Sequence, residues 1–239
     1  MPAVNQIGHL GSSAQDGGMS ESQLLKLHQS LPTSGARRVA PFEIDGTLYL
    51  GVPQLAEDIS GTPAYMNGGN SDIDALIYRW NGGRFEEAER LRVPGGEDMA
   101  FFSIAGERYL ATASIRTGCG PYDLNAVSTV FHLQQGSWVA RQQIETFAAK
   151  QCYAFSFCGR SFLGLAQGVT LPGVEARHPR ESRILEWDGA SFREFQVLEG
   201  RWGYGFSYFE IEGEHYLAYA DHTSASLLYR WDGRQFAPL

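Results

Sequence analysis

The sequence predicts an all-β fold, a four-bladed β-propeller whose last blade is closed by an N-terminal strand. Three observations carry this. First, a phenylalanine four residues before a turn glycine, followed by an aromatic-Leu pair, recurs four times: FEIDGTLYL at 42–50, FSIAGERYL at 102–110, FSFCGRSFL at 155–163 and FEIEGEHYL at 209–217. Second, each copy is followed by a strand running into a tight turn: IYRWNGGRF at 77–85, VFHLQQGSW at 130–138, ILEWDGASF at 184–192 and LLYRWDGRQF at 227–236. Third, the copies repeat about every fifty residues, the spacing of propeller blades and solenoids.

Each copy reads as four short strands, from its alternating apolar and polar residues, its β-branched and aromatic enrichment, and glycine where a hairpin turn needs positive φ. In the first copy the strands fall at 39–44, 48–52, 75–80 and 84–93. The turns Asp45-Gly46 and Asn81-Gly82 each follow an odd-numbered strand, so they share one side of the blade and the longer loops share the other. The copies span about 32–92, 93–144, 145–198 and 199–239. The last reaches its outer strand only as FAPL at 236–239, and LKLHQSL at 25–31 matches the outer-strand pattern of FREFQVL at 192–198 and WVARQQI at 138–144, with Gln29, Gln142 and Gln196 in one register. A strand at 24–31 is therefore expected to close the ring and leave no open edge. A domain-swapped dimer sharing eight blades satisfies the same pattern.

This module resembles the EPTP (epitempin) repeat, over residues 24 to 239. The resemblance implies a propeller and, in better-known extracellular relatives, protein binding. Those relatives have more modules than the four here, so their ligand does not carry over.

The remaining composition suits one domain at 23–239: 239 residues, 43% hydrophobic, 28 glycines for turns. Residues 1–22 are small and polar and read as a disordered leader with no export signal. No stretch is long and apolar enough to span a membrane. The three cysteines, Cys119, Cys152 and Cys158, have no paired spacing, which points to a reducing cytoplasm. A net charge of −8 disfavours nucleic acid as a partner. All but two of the nineteen basic residues are arginine, which sets Lys26 and Lys150 apart.

The loops between second and third strands are unequal, at 53–74, 114–126 and 167–182 against only 221–224 in the last copy. Three lids and one gap predict an asymmetric pocket at the channel mouth, open beside the fourth blade. Polar residues expected there are Arg37, Arg38, Glu97, Asp98, Lys150, Arg201, Tyr204 and His222 from the inter-blade loops and strand starts, with Arg116, Tyr122 and His178 from the lids. Asp98 and Arg38 occupy the same register in neighbouring blades and are candidates for acid-base chemistry, or for a rim ion pair between blades. His222 and Tyr204 are further catalytic candidates. Lys150 could hold an anion or act as a nucleophile, and Arg201 and Trp202 suit a planar or anionic ligand.

Asn67, Asn70, Asp72 and Asp74 form a weak calcium-like set without the terminal glutamate of an EF-hand, and a glycine-rich turn entering the third strand explains them without metal, which is the preferred reading. No phosphate loop, dinucleotide fingerprint or nucleophile elbow occurs, so no organic cofactor is expected. The expected function is a small-molecule pocket, as in a cofactor-free enzyme of specialised metabolism catalysing cyclisation, elimination, addition or hydrolysis. A protein-interaction or carbohydrate-binding propeller is the alternative.

Overall fold

In the computed structural model, which describes residues 26–65 and 67–239, the repeats become four antiparallel sheets of four strands each. Blade 1 comprises β1 (Ala40–Ile44), β2 (Thr47–Val52), β3 (Ala75–Trp80) and β4 (Phe85–Leu91). Blade 2 comprises β5 (Gly96–Ile104), β6 (Glu107–Ser114), β7 (Asn125–Gln134) and β8 (Ser137–Phe147). Blade 3 is β9 (Gln151–Phe157), β10 (Arg160–Ala166), β11 (Ser182–Trp187) and β12 (Phe192–Leu198). Blade 4 is β13 (Gly203–Ile211), β14 (Glu214–Asp221), β15 (Leu227–Trp231) and β16 (Phe236–Pro238). Each sheet runs in chain order, which is the four-bladed propeller expected.

The repeat glycines sit where the turns need them, Gly46, Gly106, Gly159 and Gly213 all having φ between +73° and +83°. The recurrent aromatics pack between blades. Phe42 stacks on Tyr49 and meets Trp138 of blade 2 edge-on, Phe102 repeats this with Tyr109 and Phe192, and Phe155 with Phe162 and Phe236. Three apolar clusters follow, bridging blades 1 and 2, 2 and 3, and 3 and 4.

Each of the first three outer strands carries one extra residue, a β-bulge opposite Ile77/Tyr78, Val130/Phe131 and Ile184/Leu185. The bulge bends the strand, and the residue on its far side, Glu89, Gln142 or Gln196, bonds to the aromatic residue at the start of the next blade's outer strand, Trp138, Phe192 or Phe236. This gives the register shared by Gln142 and Gln196 a physical meaning.

The closing strand expected at 24–31 is not found among the described strands. Residues 24 and 25, like the leader at 1–22, lie outside the described residues, and 26–31 carry no strand pairing. The outer place in blade 4 is held by β16, paired from Trp231↔Phe236 to Tyr229↔Pro238. Leu31 instead packs against Val52, Leu76 and Tyr78 of blade 1, where the Tyr78 hydroxyl donates to the Pro32 carbonyl at 2.6 Å.

Candidate functional site

The three lids and the short fourth loop start at one repeated position, whose side chain ties down the first and third lids and the fourth loop, while Ser114 Oγ of the second has no hydrogen-bond partner among the described residues. Four residues after the leucine of each aromatic-Leu pair stands a buried polar residue: Gln54, Ser114, Gln167 and Asp221. Gln54 accepts from the Ser34 N–H and donates to the Asp74 carbonyl, pinning both ends of the first lid. Gln167 donates to the Pro179 and Glu181 carbonyls and ties down the third. Asp221 accepts the backbone N–H groups of Arg201, Trp202, Thr223 and Ser224. Burial works to raise its pKa, but these donors outweigh it and hold the carboxyl well below the usual range. The next residue in each of three blades, Leu55, Ile115 and His222, donates its N–H to the carbonyl of Gly35, Gly95 and Trp202 respectively, at 2.9 Å.

Between the lids lies a cavity of about 230 Å³. Leu55, Ile115, Leu124, Ala148 and Val169 make most of its wall, Trp202 and Leu171 flank it, and Lys150, Arg116, Tyr122 and Asn67 supply its polar groups. None of its apolar lining residues but Trp202 is among those expected from the sequence, although Leu55 and Ile115 lie five residues after the aligned leucines and Val169 six.

Lys150 is the distinctive member. Its ammonium lies 5.3 Å from the Trp202 ring centre and 5.7 Å from that of Tyr204, a cation-π arrangement. It sits 3.5 Å from the Ala148 carbonyl oxygen, the outer limit of a hydrogen bond, and no carboxylate pairs with it among the described residues. Burial lowers its pKa to about 8, against a weaker opposing pull from Glu97. Trp202 Nε1 and Glu97 Oε1 are buried with no hydrogen-bond partner among the described residues. Burial also raises the pKa of Glu97, though Arg37 contacts its other oxygen at 2.9 Å.

Arg116 is a strut rather than a free clamp. Its guanidinium is buried, donates to Ser71 Oγ and the Tyr65 and Gly68 carbonyls, and stacks 3.6 Å from the Tyr122 ring centre. Tyr122 in turn donates to the Gly69 carbonyl, so the pair sews lid 2 to lid 1. His222 is exposed at the blade 4 side, its ring against Trp202 and Tyr204. Arg201 is exposed there too.

Asp98 and Arg38 do meet, at 2.5 Å, but they do not line the cavity. The other Asp98 oxygen accepts the Cys152 N–H of blade 3. Gln151, in the same register, accepts the Phe206 N–H of blade 4. Residues at this position therefore link each of the first three blades to the next. Burial raises the Asp98 pKa more than Arg38 lowers it. His178 is anchored away from the cavity, its Nδ1 facing the Ala126 and Thr146 carbonyls at 3.0 and 3.1 Å. Cys152 is buried, its thiol donating to the Ala111 carbonyl and its pKa pushed up by burial.

The oxygens of the calcium-like set serve the lid itself. Asn70 Oδ1 accepts the Asp72 N–H, Asp72 accepts the Gly118 N–H, and Asp74 lies 3.6 Å from Arg92. Among the described residues no group of three or more His, Cys, Asp or Glu is arranged to hold a metal. A larger groove of about 580 Å³ opens on the turn side between blades 1 and 2, where Asp45 is engaged with Arg108 and Glu89 with the Trp138 N–H.

The EPTP domain family matches residues 25–81 and 191–232. Leucine-rich repeat LGI family member 3 of Mus musculus is 26% identical over 248 residues, covering 88% of this chain and 42% of the relative. The human thrombospondin-type laminin G domain and EAR repeat-containing protein is 32% identical over 93 residues, covering 38% of this chain and 12% of the relative. The chain thus spans less than half the length of these relatives. Among solved structures, a family 117 glycoside hydrolase from Zobellia galactanivorans matches with a TM-score of 0.55 and 12% identity, over 86% of this chain and 69% of that one. A GH43 β-xylosidase/α-arabinofuranosidase from a compost metagenome matches with a TM-score of 0.50 and 15% identity, over 89% and 80%. At these identities the likeness is one of fold alone.

Proposed function

From the premise that this chain is an EPTP-type repeat β-propeller, we propose that its lidded face binds a compact, largely apolar molecule carrying one anionic or carbonyl group. The observation that carries this reading is Lys150, an ammonium largely withdrawn from water beside Trp202, with no carboxylate partner among the described residues, at the edge of an apolar cavity. An unpaired buried charge is costly, and a ligand anion would offset that cost where a neutral ligand would not. The volume lies below the usual range for drug-sized ligands, about 300–1,000 Å³, which favours a small planar acid or carbonyl compound. Trp202 Nε1 is a second donor in want of an acceptor. In this reading Asp98 and Arg38 hold blades together, and any acid-base chemistry belongs to Lys150 and Glu97. The three unpaired cysteines fit a reducing compartment.

Kinship with EPTP proteins favours a second reading, a protein-interaction propeller. The test is a thermal-shift screen of small aromatic and aliphatic acids, aldehydes, neutral isosteres and oligosaccharides on wild type, Lys150→Met, Asp98→Asn and Arg38→Ala. The pocket reading expects an acid or carbonyl compound to raise the midpoint of wild type, with the shift lost in Lys150→Met and retained in folded Asp98→Asn. No shift from any small molecule, or an equal shift in Lys150→Met, would overturn it and make a partner pull-down the next experiment.

A further inference from the structure

The three internal blade interfaces share a knob and a hole. The knob is the residue three before the aligned phenylalanine: Met99, Cys152 and Phe206, exposed by 0%, 1% and 5%. The hole is the residue after the aligned leucine in the preceding blade. A Cβ on Gly51 would lie 2.3 Å from Met99 Sδ, and one on Gly164 would lie 2.8 Å from the Phe206 ring. The Cys152 thiol reaches the Ala111 carbonyl. Large knobs face glycine and the small knob faces alanine, as close packing demands.

The same register leaves one hole and one knob over. The hole is Ala218 on blade 4, and the knob is Val39 at the start of blade 1, 52% exposed. The pair is matched in size, a small knob with alanine, like Cys152 with Ala111. The surroundings of Ala218 repeat the internal faces but stand open. Phe209 stacks on Tyr216 at 5.5 Å and, among the described residues, meets no third, edge-on ring of the kind that completes the other three sets. Leu228 is 39% exposed, whereas its register mates Ile77, Val130 and Ile184 are at 0–1%. A shallow depression of about 480 Å³ runs over this face, lined by Gly205, Ser207, Ala218, Ala220 and Leu228 among others. The exposure of both Val39 and Leu228 means that blades 1 and 4 of one copy do not cover each other.

We propose that blade 4 docks blade 1 of a second copy of this chain, Val39 of one entering the hole at Ala218 of the other. The contact continues the internal blade interface, so its aromatic and aliphatic groups are buried as their register mates are. Two copies joined in this way place eight blades in succession.

The test uses cysteine pairs in the full chain with the exposed Cys119 and Cys158 replaced by serine. Val39→Cys and Ala218→Cys are prepared as separate variants, checked for wild-type circular dichroism, mixed and mildly oxidised. The expected product is a covalent heterodimer, absent from a control mixture in which Val197→Cys, an exposed site on blade 3, replaces Val39→Cys. A mixture that stays monomeric overturns the proposal. So does a disulfide formed inside one chain in the Val39→Cys/Ala218→Cys double variant, which would mean that the chain closes on itself. Deletion of residues 1–24 forms a third arm. If wild type is monomeric by light scattering and only the deletion variant pairs, the chain's own N-terminal segment is the occupant and the proposal fails.

Discussion

Gln142 holds Phe192 of the next blade by both its backbone polar groups: Oε1 accepts the N–H at 2.8 Å and Nε2 donates to the carbonyl at 2.8 Å. Gln196 holds Phe236 in the same way, at 2.9 and 2.8 Å. Glu89 occupies the register in blade 1 and can only accept, so it takes the Trp138 N–H alone.

The first prediction follows from that difference. Gln142→Ala leaves a half-buried N–H and C=O without partners and is expected to cost about 1–3 kcal/mol, with Gln142→Glu retaining roughly half because it keeps the acceptor. Gln142→Ala and Gln196→Ala act at separate interfaces, and their effects should add within about 0.5 kcal/mol. Urea unfolding of the single and double variants measures both, and a neutral Gln142→Ala would refute the clamp.

Lys150 should destabilise the empty protein at neutral pH. Its folded pKa of about 8 lies below the unfolded value of 10.5, so between these limits the unfolded chain binds more protons and stability rises with pH. Below pH 8 the penalty is present in full, at most about 3 kcal/mol. Lys150→Met is therefore expected to melt higher than wild type at pH 7, the gap narrowing as pH climbs toward 10.5. Calorimetry across that range checks the sign, and a gap independent of pH would remove the desolvated ammonium from the account.

Asp221 should do the opposite. Its folded pKa is depressed, so its stabilisation is present above about pH 4 and is lost as pH falls toward the folded value. Asp221→Ala orphans backbone N–H groups at the foot of the fourth loop and should cost about 2–3 kcal/mol at pH 7. The difference from wild type should shrink in acid, as read from unfolding at pH 7 and pH 3.

Gly95 cannot be replaced cheaply. Its φ is +54°, and a Cβ there would lie 2.2 Å from the Arg116 carbonyl oxygen, beneath lid 2. Gly95→Ala is expected to cost more than about 2 kcal/mol, whereas Gly46→Ala, with φ +75° but open space around it, should cost about 1 kcal/mol. Comparable losses in the two would show that backbone conformation alone, and not the close approach, sets the requirement.

What was legible in the chain was whatever repeats locally. The turn glycines, the aromatic-Leu strands and the Trp-Asp-Gly turns depend on neighbours a few residues away, so their spacing alone determined four blades of four strands and put the long loops on one face. The Gln142 and Gln196 register was visible as well, though its meaning was not, since the partner of each lies in another repeat. Lys150, Trp202, Arg116 and Tyr122 could be assigned to the lidded side because loop length is a sequence property. Which of them face a common cavity depends on how three lids fold over one another, and only the tertiary structure decided that. It put Lys150 against Trp202, turned Arg116 into a strut, drew Asp98 and Arg38 into the seam between blades, and left the fourth blade with its own outer strand and an open face. Contacts between residues fifty apart are set by blade packing, where size and hydrogen bonding across a seam decide the outcome, and no short-range period records them.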